Sequence, residues 1–108
     1  MKYPKSIRIG PYDVKILTMS GDRADARKAF GFFTGDTISI TMDESIPCPI
    51  RATEVFIHEV FHAVCYIYNI EIKKDNEERI VYAMGVAWTQ IYRDNPHLLK
   101  WITKNLKE

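Results

Sequence analysis

His58-Glu59-Val60-Phe61-His62 is the stretch of this sequence whose residue types and spacing suit a metal-dependent reaction centre. Four residues make slightly more than one helical turn. On a helix both imidazoles therefore project from one face, and both can reach a single tetrahedral Zn²⁺ at about 2.0–2.1 Å. Glu59 is rotated about 100° from His58, too far round to bind the same ion and near enough to take a proton from water activated there. The pattern predicts His58 and His62 as metal ligands and Glu59 as general base. The competing reading is that all three are ordinary core residues. Burying them in an apolar helix would be costly unless they were satisfied, and a shared metal and water would satisfy them.

Such a centre needs a third protein ligand, and Glu77 and Glu78 open the next helical segment. Periodicity favours Glu77, which shares a stripe with Val81, Met84 and Trp88, over Glu78, which falls toward Gly85 and Tyr92. Either acid also suits a helix N-terminus for its charge alone. Asp75 fits a helix cap better than a ligand. Cys65, three residues after His62, is a soft donor on roughly the same face, although packing accounts for it. His97 follows a helix-breaking Asn-Pro and reads as a surface histidine. Tyr82 and Tyr92 are candidate oxyanion donors.

The elements that position these groups follow from patterning. Ile7, Ile9 and Val14, Ile16 alternate with polar residues around Gly10-Pro11-Tyr12-Asp13, which predicts a hairpin. Residues 20–28 are polar, a solvated loop or short helix. Phe30-Gly-Phe-Phe-Thr34 and Thr37-Ile-Ser-Ile-Thr41 flank the turn pair Gly35-Asp36 as a second hairpin, and the strand 37–41 has two readings, a cleft-lining strand that pairs with an extended peptide or a plain structural strand. Pro49 suits the first turn of a helix running over about 50–68. Apolar residues surround nearly its whole circumference, so it should be buried. Asn69 is placed to end it in a left-handed conformation. A second helix is expected over about 77–93, and beyond the Asp94-Asn95-Pro96 break a third over 97–106. Strands first and helices after predict one α+β domain over 1–108. Its small antiparallel N-terminal sheet of three or four strands packs on two or three helices.

The 108 residues are 46% hydrophobic and 27% charged, a globular balance. Lys plus Arg number 15 against 14 acids, and a net charge of +1 supplies no field to hold a phosphate backbone, so nucleic acid is not an expected partner. No run reaches the 18 or so apolar residues of a membrane helix, and the first residues lack an apolar signal core, so no membrane association and a cytoplasmic location are expected. Cys48 and Cys65 are too few for a disulfide scaffold and are expected as free thiols.

Thr53-Glu-Val-Phe-Ile-His58-Glu-Val-Phe-His62-Ala63, Glu77-Glu-Arg-Ile-Val81 and Tyr92-Arg-Asp-Asn-Pro96 together resemble the short His-Glu-x-x-His proteins of bacteriophages and prophages, which are similar to minimal ImmA/IrrE-type metallopeptidases. The resemblance spans residues 30–103. It implies a minimal zincin-like fold, zinc held by His58, His62 and a downstream Glu, and Glu59 as the catalytic acid/base. The family's Glu-x-x-Val pattern selects Glu78 as the third ligand, with Glu77 as the alternative. The chain lacks the C-terminal region and the more distant third-ligand spacing of the larger relatives, and Arg51 stands further from the first His than theirs does. The implied activity is hydrolysis of a peptide or protein substrate in the bacterial host cytoplasm. The alternative is a non-catalytic, zinc-stabilised module that docks on a host or phage protein.

Overall fold

Ser6–Ile9 (β1) and Tyr12–Met19 (β2) pair antiparallel, with Ile9 opposite Tyr12. Gly10 takes a φ of +57° in the two-residue turn between them. Pro11 holds its own φ near about −65°, and positive then negative φ is the pattern of a type II′ turn, whose twist matches the flanking strands. The computed structural model describes residues 2–71 and 77–107, with the side chains at 77, 78, 81, 82 and 85 outside the described set.

Ser20 caps a short helix, Gly21–Arg27 (α1), by accepting from the Arg23 N–H at 3.2 Å. The chain then enters Gly31–Thr34 (β3) and returns through Ser39–Asp43 (β4). The strand order is β1-β2-β4-β3, and β2 and β4 run parallel, Lys15 opposite Ser39 through Met19 opposite Asp43. The sheet is therefore mixed, a correction to the antiparallel sheet expected from the sequence. Alternation of apolar residues locates strands but carries nothing about their partners. Here α1 joins the end of β2 to the start of β3 at the same end of the sheet, where Met19 lies opposite Asp43 and Gly31 opposite Met42, and the second hairpin sets β4 beside β2. The turn of that hairpin is also longer than expected. It spans residues 35–38, with Ile38 at φ +48°, and β4 begins at Ser39.

Pro49–Ile67 (α2) starts with Pro49 in its first turn and ends at Asn69, whose φ is +54°. The Ile70 N–H donates to the Cys65 carbonyl at 2.8 Å and the Asn69 N–H to the Tyr66 carbonyl at 3.4 Å, the bonding pattern of a Schellman cap. Glu77–Asp94 (α3) and Pro96–Leu106 (α4) complete the chain. Ile7, Ile9, Val14, Ile40 and Met42 from the sheet pack on Ala52, Phe56, Val60, Ala63 and Val64 of α2, joined by Ala87, Ile91 and Leu98. The buried residues of α2 thus recur at helical spacing along one side. The expectation of a helix buried all round is corrected: Phe61 is 43% and Tyr66 57% exposed. Both histidines are exposed as well: the sheet covers the flank that carries Phe56, Val60 and Ala63, and on the other side the described contact is that of Phe61 with the Trp88 ring of α3, 5.2 Å between centroids. The tail helix is anchored by Trp101, whose ring packs on Phe56 at 5.0 Å and Tyr3 at 5.7 Å. Among the described residues no helix is long and apolar enough to cross a membrane.

The outer edge of β1 is closed by side chains instead of a strand. The buried Asn95 amide accepts from the Arg8 N–H at 2.6 Å and donates to the carbonyls of Arg8 at 2.7 Å and Ile91 at 2.8 Å. Gln90 accepts from the Gly10 N–H at 2.8 Å, and the His97 ring lies 3.0 Å from the Ser6 carbonyl. Asn95→Ala, which leaves buried main-chain groups unpaired, is expected to destabilise the fold by about 2–4 kcal/mol, and Asn95→Asp by a similar amount because it sets a carboxylate against two carbonyls. Denaturant unfolding measures both. A loss below about 0.5 kcal/mol, the range of ordinary surface substitutions, contradicts this role.

Candidate metal centre

Residues 58 and 62 are one helical turn apart on the open side of α2, and the structure turns their imidazoles together. The two Nε2 atoms are 3.1 Å apart, with the rings edge to face and their centroids separated by 4.8 Å. A tetrahedral ion with bonds of about 2.0–2.1 Å sets two nitrogen ligands about 3.3 Å apart, so the pair fits one cation. The same separation fits an N–H···N bond between neutral rings, which keeps the pair aligned without metal.

Glu59 occupies a different environment. It is 7% exposed, on the flank of α2 that faces β3. Gly31 makes that approach possible: a Cβ there would lie 3.2 Å from Glu59 Cγ and 2.9 Å from Met42 Sδ. Burial pushes the Glu59 carboxyl above its ordinary value, while the neighbouring His58 and His62 pull the other way. A carboxylate raised in this manner is a better proton acceptor near neutral pH. The desolvation argument made from the sequence for all three residues therefore holds for Glu59 alone. For the histidines, convergence of the rings replaces burial as the reason to see a site.

Two clefts meet at Gly31 and Glu59. One, of about 610 Å³, runs past His62, Phe33, Cys65 and Tyr66. The other, of about 400 Å³, runs past His58, Phe30, Arg51 and Glu54. A third cleft of about 430 Å³, between Tyr68 and Ala83, is lined by neither histidine nor Glu59. Both open clefts border β3, an edge strand. Of the two readings of the strand 37–41, the structural one fits and the substrate-pairing one does not: β4 has β2 on one side and β3 on the other, and all five of its residues are buried. A glycine within a strand pattern signals close backbone approach, and Gly31 was the signal by which β3 could have been singled out.

Among the described residues no third His, Cys, Asp or Glu joins His58 and His62. The side chains of Glu78 and Glu77, the expected third ligand and its alternative, lie outside the described residues, as do Asp75 and the Tyr82 side chain. Cys65 is a free thiol lining the larger cleft, its pKa raised by burial, and Cys48 is free and exposed. Tyr92 packs tilted against the Trp88 ring at 5.4 Å and lines neither of the clefts beside Glu59. His97 is at the β1 edge. In comparisons with family models, curated proteins and solved structures, nothing matches this chain.

Proposed function

We propose that this chain is a zinc-dependent peptidase of the short phage and prophage type, with His58, His62 and Glu78 as ligands and Glu59 as general base. The observation that carries the reading is the 3.1 Å convergence of two exposed imidazoles beside a buried carboxylate at the edge of a sheet. Zinc held there supplies a Lewis acid and makes water nucleophilic near neutral pH. Glu59 takes the proton from the attacking water and returns it to the departing amine, a role its burial favours. An extended peptide pairs with β3. The Asp43 N–H bonds the Phe30 carbonyl at 2.8 Å. By alternation Phe32 and Thr34 also bond to β4, and the main-chain groups of Gly31 and Phe33 face away from it. A peptide on that edge lies next to Glu59.

Elemental analysis of the purified protein tests the site. About one zinc per chain is expected, retained in Glu77→Gln and lost in Glu78→Gln. Zinc retained in Glu78→Gln overturns the third-ligand assignment, and no uptake by the wild-type chain overturns the metal centre. A second expectation concerns Gly31→Val. Its added carbons press on Glu59 and on the Thr41 carbonyl, 3.2 Å from the new Cβ, so hydrolysis should fall by about 10²-fold, as misplacements of about 1 Å do, with zinc content unchanged. Full activity in Gly31→Val would remove Glu59 placement from the mechanism.

A further inference from the structure

The side chains of β3 divide between two faces of the sheet. Gly31 and Phe33 face α2, the Phe33 ring packing tilted against Tyr66 at 5.4 Å between centroids. Phe32 faces the opposite side, where α1 lies. The Arg27 guanidinium sits 4.0 Å from the centre of the Phe32 ring and that of Arg23 5.8 Å away, both within cation–π range. Among the described residues neither arginine makes an ion pair. The acids on the same helix are badly placed to neutralise them: Asp25 is two residues from each and Asp22 is adjacent to Arg23, spacings that do not face each other on a helix. Arg51 differs, since it lies over Phe30 at 5.3 Å but is bound to Glu54 at 3.2 Å.

A peptide strand added to β3 continues this alternation. Every second side chain falls on the α2 face toward the histidines, and the others fall on the α1 face, about 4.5–5.5 Å across from their β3 neighbours. The residue opposite Phe32 is thereby placed beside two guanidinium groups that make no ion pair among the described residues. We infer that the substrate segment is acidic at the alternate positions whose side chains lie on the α1 face, selected by Arg23 and Arg27 on the Phe32 ring. This rests on the reading of β3 as the peptide-pairing edge. A peptide fits better than a nucleic acid because an edge strand offers a ladder of N–H and C=O groups to another backbone, and a net charge of +1 provides no wider basic surface.

The test uses full-length Glu59→Gln protein with zinc, so that peptides are bound without turnover, and three dye-labelled octapeptides: alternating Glu-Val, Gln-Val and Lys-Val. Two exposed ion pairs predict that Glu-Val binds about fivefold more tightly than Gln-Val, with Lys-Val weakest. The preference should shrink as salt rises. Amide resonances of Gly31 and Phe33 should shift on binding. Adding Arg23→Gln and Arg27→Gln should erase the preference while Gln-Val affinity stays the same, and Arg27→Lys should keep it; circular dichroism checks that each variant is folded. Equal binding of Glu-Val and Lys-Val, no binding of any peptide, or tighter binding of an oligo-dT strand than of Glu-Val overturns the inference. Acid-selective binding by a chain whose wild type neither takes up zinc nor cleaves peptides would overturn the peptidase reading alone.

Discussion

Glu59→Gln is expected to lower peptide hydrolysis by about 10²–10⁴-fold, the range associated with a positioned general base, while zinc content and melting temperature stay near wild type. Gln keeps the shape of the side chain against Gly31 but cannot take a proton from water. Stability should not suffer, and the sign follows from the raised pKa of Glu59. In the metal-free protein a carboxyl whose folded-state pKa is raised supports the fold below its unfolded pKa. That support is lost as pH rises through the folded value. At neutral pH the buried charge is a net cost, which Gln removes. Peptide turnover and zinc content, measured together, separate the two functional classes. An enzyme loses turnover and keeps its metal. A docking module keeps its biological effect after the same change, and that result would displace the peptidase.

The second large effect is loss of metal in His58→Ala. Zinc affinity should fall by about 10²–10³-fold, one ligand's share of the total binding free energy of a zinc site. Because both imidazoles are exposed and outside the packed core, the metal-free variant should melt close to the metal-free wild type. Zinc added at about 100 times its dissociation constant stabilises a folded site by about 2.7 kcal/mol. For a domain of this size that corresponds to a rise of about 10–20 °C in the wild type, with little or none in the variant. Thermal melts with and without zinc provide the measurement. An equal rise in both proteins would place the metal somewhere other than between His58 and His62.

The elements were legible wherever the cause is local. Pro49 at the start of α2, the left-handed Asn69 at its end, the turn at Gly10-Pro11 and the break at Asn95-Pro96 each depend on the φ preference or missing N–H of one residue. The helical repeat of His58 and His62 is local as well, so their convergence could be read from spacing. Burial of the site was harder to read. Apolar residue types surround nearly the whole circumference of α2, yet which flank of the helix is covered depends on where the sheet and the later helices come to rest.

What sets Glu59 beside a free sheet edge depends on groups distant in sequence. Parallel pairing of β4 with β2 makes β3 an edge, and the edge is where Gly31 meets Glu59. Asn95 closes the β1 edge from a position 87 residues away from Arg8. Dihedral preferences and hydrophobic period act over a few residues and are written in the order of amino acids. Strand partners and the exposure of a helix face are settled by how the whole chain minimises its apolar surface while pairing its main-chain groups, and no local pattern encodes that outcome.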